Sequence, residues 1–460
     1  MMSDNRSKYY VLALLCCGNL FSTVDRNLIA LLASDIKADF HLSDTQLSML
    51  MGLAFVVFYA VAGIPIARIA DRSTRKWVVA TGILLWSLMT SLTAFSKSFL
   101  HFLGTRMGVG VGEASLTPSA YSLLGDLFPR DRLPSAIGIF GLGAGLGWGV
   151  ALLLGGTVLT WLGDVQSLVI PFIGEMHRWQ VVFLALGLPG VVLSALFALT
   201  VREPGRAELF AKRDISRTTK DPKGTLRDAL VVFRSQQAIY SGIFIGMSLN
   251  AVVGYGFLSW MPTYMIRSFG WTPAETGLRL GIAVVIGGAG STVASGYATN
   301  FLFARGFSDG PIRASVAALL VAAPLLLAAV TVGHSTLAVL LYTLGLFFVL
   351  MPATLSAIAV QYITPNRQRA TMAAAFVLTL NLLGFGLGPI LVALITDFVL
   401  RSGARIGESL LIVTACMVPL SIVSYLICMP SLRRAVDDLL PLPGRHLFQV
   451  SSKAQSFPSS

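Results

Sequence analysis

The chain has 460 residues, of which 55% are hydrophobic and 12% charged, against roughly 25% charged in a soluble domain. Its mean hydropathy of +0.75 excludes a soluble globular enzyme and leaves a chain that crosses a membrane repeatedly. A net charge of +12 then reflects basic loops held on one side of the bilayer and implies no nucleic-acid partner.

Twelve apolar segments follow one another, at about 9–34, 46–70, 76–95, 99–126, 133–162, 177–201, 237–267, 274–302, 311–332, 336–363, 367–400 and 406–430. Each is long enough to cross about 30 Å of hydrocarbon. The polar N-terminus is followed by no small-residue cleavage site, so the first segment is expected to be a retained span. An even number of spans puts both termini on one side. With that side in the cytoplasm, only Lys37, Lys97, Arg178, Arg267, Arg279, Arg401 and Arg405 fall in outer loops, and this asymmetry sets the orientation. The expected setting is a bacterial inner membrane or an equivalent plasma membrane. Cys16, Cys17, Cys416 and Cys428 all lie in apolar segments, so no disulfide framework or metal site is expected.

Segment 1 carries Asp25 and Arg26, which diverge by about 100° around a helix and cannot both address one partner. Segment 2 opens with Ser43-Asp-Thr-Gln46, a capping box, and carries Phe55, Phe58 and Tyr59. It ends in Asp71 and Arg72, followed by Arg75. Segment 4 places Arg106 and Glu113 seven apart, about 20° from each other on one face. Gly104, Gly108 and Gly112 form a small-residue stripe there that admits a neighbouring helix. A membrane charge costs on the order of 2.5 to 3.5 kcal/mol and should face a partner or a wet cavity. Pro118 in this segment and Gly388-Pro389 in segment 11 are expected kinks beside a cavity.

A basic linker, 202–236, with an amphipathic piece near Thr225 to Phe233, divides the segments six and six. The halves repeat. Thr272-Pro-Ala-Glu275 follows Ser43-Asp-Thr-Gln46 by 229 residues, and Thr364-Pro365-Asn-Arg-Gln368 answers Phe128-Pro129-Arg-Asp-Arg132. The expected fold is an all-α membrane protein of twelve transmembrane helices in two pseudo-symmetric six-helix bundles, residues 1–201 and 237–430, with a polar tail at 431–460. Asp25 and Arg26 fall opposite Gly254 and Tyr255, so the buried charges belong to the first half alone.

Arg26 is expected to pair with Glu113 between segments 1 and 4. Asp25 is then left as the proton-exchanging carboxyl, since burial favours a carboxyl that can hold its proton. A network that merely locks helices is the weaker reading, because desolvation offsets the attraction of buried pairs. Arg26 and Arg106 offer guanidinium forks to an anionic head group. An apolar tail would need a cavity, for which Phe58, Tyr59, Tyr121 and Trp260 are available, with Asn250 and Asn381 as polar contributors from the second half. Asp71, Arg72, Arg75, Asp126 and Arg132 sit at inner helix ends and form a candidate salt-bridge latch of weak surface pairs that breaks in each cycle. No Ser-His-Asp arrangement, phosphate loop with Lys or metal spacing is present.

The stretch Ile69-Ala-Asp71-Arg72-Ser-Thr-Arg75-Lys76 resembles the loop motif between helices 2 and 3 of the major facilitator superfamily, with Ala67 and Thr74 where glycines are usual. Leu103 to Gly112 around Arg106 resembles its helix 4 motif. Gly138 to Gly156 has the glycine density of its antiporter motif without the proline. Within the superfamily the chain resembles the spinster family of lipid transporters through Asp25-Arg26-Asn-Leu, Phe58-Tyr59, Ile64-Pro65, Trp86-Ser87 and the run from Arg106 to Glu113-Ala, with Pro118 and Asp126. Organic-anion symporters share the helix 1 Asp-Arg pair and a similar helix 4. The resemblance implies a monomeric secondary transporter for lysophospholipids or sphingoid lipids, proton-coupled in at least some members, with no cofactor. The alternatives are a proton-linked carrier of small organic anions and a lipid sensor without flux.

Overall fold

The computed structural model describes residues 2–129, 132–163, 165, 167–171, 174–204, 226–365 and 368–439. Residues 205–225 of the expected linker and 440–460 of the expected tail lie outside this range. So do Arg130, Asp131, Asn366 and Arg367 of the repeated loop, and the side chain of Asp71.

Among the described residues the first half contains α1 (Met2–Phe40), α2 (Asp44–Ser48, Met49–Leu53 and Ala54–Arg72), α3 (Arg75–Thr93), α4 (Phe99–Glu113 and Leu116–Leu127), α5 (Leu133–Leu162) and α6 (Arg178–Thr200). After a linker helix, Leu226–Ser235, come α7 (Gln237–Phe269), α8 (Pro273–Ala304), α9 (Gly310–Ala329), α10 (Ser335–Ile363), α11 (Arg369–Thr379, Leu380–Gly386, Leu387–Leu394 and Ile395–Val399) and α12 (Ile406–Leu439). Ten of these are long and apolar enough to cross a membrane. The two that fall short, α1 and α4, are those that carry Asp25, Arg26, Arg106 and Glu113. In α4 the break after Glu113 leaves pieces of 15 and 12 residues, each too short to span alone, whereas α1 is a continuous helix of 39 residues interrupted by Asp25 and Arg26. The end of the bundle that carries Met2, the linker helix and Leu439 is called the linker face below, and the opposite end the far face.

Glycine explains how α5 joins the halves. Gly143 and Gly147 lie against Cys16, Leu20 and Thr23 of α1. Gly149 and Gly156 turn a second stripe to Gly281 and Gly277 of α8, so close that a Cβ on Gly277 would stand 2.6 Å from the Leu152 carbonyl. Such backbone approach is the packing that small residues permit in a bilayer. Gly145, one turn nearer the linker face, is looser, with its carbonyl 3.8 Å from a Cβ on Gly288, and beyond it Gly141 and Gly138 have nothing within 4 Å. The helices therefore close toward the far face and part toward the linker face. Gly277→Ala is expected to lower stability by about 1 to 3 kcal/mol, read as a lower melting temperature in detergent. An unchanged melting temperature would contradict the close crossing.

A second crossing joins α2 to α11. Pro389 has no N–H, so the Phe385 carbonyl lacks its helical partner, and residues Leu380–Gly386 relax into a π-helix. Gly52, in the π turn Met49–Leu53 of α2, packs directly on that carbonyl. The proline expected to kink α11 thus acts one turn upstream. In α4 the helix breaks at Ala114 and Ser115, just ahead of Pro118.

Three features depart from the sequence reading. Residues after α5 form a two-stranded antiparallel hairpin, β1 (Ser167–Ile170) with β2 (Gly174–His177), at the far face. Helix α12 continues past the expected end at 430 to Leu439, because no breaker follows Pro430 until after that point. Ser43 and Gln46 form the full reciprocal capping box. At the repeat, Thr272 caps Glu275 N–H at 3.1 Å, but the Glu275 side chain pairs with Arg279 instead.

Candidate functional site: a buried charge cluster beside a central cavity

Glu113 ends the first piece of α4, so the break that follows leaves its side chain directed at α1. Arg26 Nη2 donates to Glu113 Oε2 at 2.6 Å, and the side chains are 19% and 0% exposed. Ser22, one turn below on α1, donates to the same oxygen at 2.6 Å. Glu113 Oε1 has no hydrogen-bond partner among the described residues.

Arg106, fully buried, does not pair with a carboxylate. It donates to the main-chain carbonyls of Asp25 and Arg26, each at 3.2 Å. This fixes the rotation of α1 at the point where the two charged side chains leave it, so Arg106 acts as a positioning residue. Asp25 points to the other side, where Thr90 of α3 donates to Oδ2 at 3.2 Å. Its Oδ1 is without a partner among the described residues. The divergence expected from adjacent positions is therefore the geometry found. The small-residue stripe of α4 is used only in part. Gly112 lies on Trp86 and Gly82 of α3 and Gly108 on Met89, whereas Gly104 has nothing within 4 Å.

The Arg26 guanidinium lies 4.1 Å from the Phe55 ring centre and 5.7 Å from those of Tyr59 and Phe385. The α11 ring of Phe385 in turn meets Tyr255 at 5.4 Å and Trp148 at 6.2 Å. Trp148 and Tyr255 line a cavity of about 210 Å³ between α5, α7, α8 and α10, with Asn250, Ser291, Thr292 and Thr354 as its polar wall. The cavity shares Thr354 and Leu380 with a groove of about 350 Å³ along α10 and α11. A further groove of about 410 Å³ carries on past Gln361 to Tyr362 and Arg369 at the linker face.

Several expected binding residues stand elsewhere. Trp260 is fully buried and donates to the Pro389 carbonyl at 2.9 Å, so it packs α7 on α11 and is absent from the cavity wall. Phe58 and Tyr121 are exposed on the linker-face half, Tyr121 against Phe140. Asn381 sits half-buried on the π-helical stretch of α11, outside the cavity lining. Tyr59 stacks on Phe55 beneath Arg26. Asn250 is in the cavity wall.

The inner latch also differs from a set of surface pairs. Arg75 is 2% exposed and binds Asp126 together with the Ser122 hydroxyl at 3.0 Å and Glu203 at 2.8 Å. Glu203 also accepts from the Lys76 N–H at 2.8 Å, a carboxylate at a helix N-terminus where the dipole favours it. All of these partners lie in the first half or at the start of the linker, so Arg75 ties α3, α4 and the linker together without crossing to α7–α12. Its burial follows from this enclosure. Arg72 and Arg132 are exposed.

Among the described residues, the ion pairs and side-chain hydrogen bonds that do cross the halves are at the far face, and the sequence reading missed them. Asp44, fully buried at the start of α2, accepts from Lys37 at 2.5 Å and from both Nη atoms of Arg267 at 2.8 Å. Arg267 Nη1 also donates to the Gly403 carbonyl at 2.9 Å. Thr45 donates its N–H and its hydroxyl to Asp397 Oδ2, both at 2.7 Å. A first-half helix end is thereby clamped to α7 and α11, beside the glycine crossing of α5 and α8. The one available signal was an acidic residue inside a capping box with basic residues in the facing loops.

Residues 15–389 match the Major Facilitator Superfamily. The chain is 28% identical over 438 residues to an MFS-type efflux pump of Mycolicibacterium smegmatis, covering 94% of this chain and 95% of that one. It is 25% identical over 413 residues to Protein spinster of Drosophila melanogaster, 87% of this chain but 64% of the fly protein, so it spans just under two thirds of that relative. Against the hexuronate transporter of Bacillus subtilis it is 21% identical over 423 residues, 89% of this chain and 94% of that one. The fold matches the crystal structure of a bacterial homologue of the human lysosomal transporter Spinster, inward-facing and unoccupied, with a TM-score of 0.77, 25% identity and coverage of 94% of this chain and 97% of that one. The chain therefore belongs to the major facilitator superfamily: it is an integral multi-pass membrane transporter, not an enzyme, and it resembles the spinster proteins.

Proposed function

We propose that the protein carries an amphipathic lipid with an anionic head and one apolar chain, a lysophospholipid or sphingoid-type molecule, by proton-coupled alternating access. The linker face is the cytoplasmic one, and the conformation is inward-open. The observation that carries this reading is the Arg26 guanidinium, held by a buried carboxylate at the junction of the halves, beside a mostly apolar cavity that runs on to the linker face. A phosphate or carboxylate competes with Glu113 for Arg26. A proton taken up by Glu113 releases the arginine to the substrate, and Asp25, buried with one bare oxygen, is the second carboxyl able to exchange a proton as α1 moves. The grooves along α10 and α11 supply the apolar surface that a chain needs. One chain contains both walls of the cavity, which supports a monomeric carrier.

The second reading, a proton-linked carrier of small organic anions, is favoured by the similarity to the hexuronate transporter. It uses the same Arg26 but leaves the α10–α11 grooves idle. Flux of labelled lysophospholipid and of hexuronate in proteoliposomes, with and without a pH gradient, separates the two. Gradient-driven lipid flux in wild type, with the gradient response lost in Asp25→Asn while lipid still binds, is expected. Hexuronate flux with no lipid flux would replace the lipid reading by the second. An unaltered gradient response in Asp25→Asn would remove Asp25 from coupling.

A further inference from the structure

We propose that Asn250, with Ser291 and Thr292, forms a subsite that reads a hydroxyl group on the substrate. The transported molecule then carries a hydroxyl between its anionic head and the rest of its body. This rests on the reading of the central cavity as the binding site for an anion anchored at Arg26, and it narrows the class of anion.

Asn250 is 2% exposed, and its amide is held in one orientation. Its Nδ2 donates to the Val349 carbonyl at 2.8 Å. Turning the amide over would set oxygen against oxygen, so Oδ1 is the atom left without a donor, on a residue that lines the cavity. That oxygen has no hydrogen-bond partner among the described residues. A buried amide oxygen without a donor has lost its hydration with nothing in return, and a ligand that supplies the donor recovers it.

The neighbouring hydroxyls show the same polarity. Ser291 gives its proton to the Gly288 carbonyl at 2.8 Å and Thr292 to the same carbonyl at 3.2 Å. Both hydroxyl oxygens keep lone pairs to offer, so these three side chains on two facing helices present acceptors. An anionic group is repelled by such a wall and belongs at Arg26. None of the residues lining the cavity is charged, so an ammonium would enter without a counter-charge, which burial opposes. A neutral hydroxyl is the donor that fits. The free hydroxyl on the glycerol of a lysophospholipid supplies it, and so do the hydroxyls of a sugar acid. A simple fatty acid does not.

The test measures binding to the purified full chain with oleoyl lysophosphatidic acid, its analogue lacking the glycerol hydroxyl, galactonate, and a deoxy sugar acid. Wild type is expected to bind the hydroxyl-bearing lipid about ten-fold more tightly than the deoxy lipid. Asn250→Leu is expected to erase that difference, the two lipids binding the variant equally, and a cooperative melting transition shows that the variant is folded. Ser291→Ala is expected to reduce the difference in part. Equal wild-type affinity for the two lipids, or a preference that survives Asn250→Leu, overturns the subsite. Should neither lipid bind while galactonate does, the lipid reading fails and the same comparison between galactonate and the deoxy acid decides the subsite. If none of the four probes binds, both readings fall.

Discussion

Replacing Arg26 with alanine is expected to reduce substrate flux at least a hundred-fold and to destabilise the fold by about 3 to 5 kcal/mol, the range for stripping one partner from a buried pair. The variant leaves Glu113, whose side chain is fully buried, with the Ser22 hydroxyl as its remaining donor. It also removes the cation from the face of Phe55, a contact worth on the order of 1 kcal/mol or more in a desolvated place. Adding Glu113→Gln to the same chain should restore most of the stability, since a neutral amide needs no counter-charge, but it should not restore flux. Melting temperature and proteoliposome flux on the two single variants and the double variant give the cycle. If the double variant is as unstable as Arg26→Ala, burial of an unpaired acid is not the cause. If Arg26→Ala still transports, the arginine does not hold the substrate.

Asp44→Ala is expected to open the far face. It removes the acceptor common to Lys37 and Arg267 and leaves two cations facing each other. Loss of a buried partner again amounts to about 3 to 5 kcal/mol. Inverting a one-to-ninety-nine equilibrium takes about 5.5 kcal/mol, so a closed far face should become a substantial mixture of open and closed. The measurement is labelling of Leu258→Cys, in the cavity wall, by an impermeant thiol reagent added at the far face, in a background without Cys17 and Cys416. At least a ten-fold rise in labelling rate is expected. Unchanged labelling would mean that the glycine crossing of α5 and α8 holds the far face shut without the ion pairs.

How far the sequence reveals the site depends on the distance over which each signal acts. The charges of α1 and α4 are visible because each breaks a local apolar pattern, and helical spacing alone puts Arg106 and Glu113 on one face. The contact of Arg26 with Glu113 follows from that spacing once α1 and α4 are neighbours. The clamp of Asp44 to Arg267 and of Thr45 to Asp397 links positions 223 and 352 residues apart, each unremarkable among its own neighbours, so no local periodicity marks it. Trp260 shows the converse. An aromatic residue opposite a polar site is equally suited to lining a cavity or packing a helix, and only the position of the Pro389 carbonyl decides. The glycines of α5 announce close packing, but not that two stripes serve two different helices. The break after Glu113 is written in Pro118, three residues beyond the turn that it relieves.

The two halves repeat one sequence pattern, yet they contribute unequally at the junction. Arg26 and its repeat counterpart Tyr255 approach the same ring, that of Phe385, at 5.7 and 5.4 Å. Two guanidinium groups on either side of one phenylalanine would repel each other in a medium that screens them poorly. A strictly twofold arrangement could not keep this charge in both copies. Under the proposed function, the cargo meets one charged wall and one neutral wall in every cycle and is carried in a single orientation.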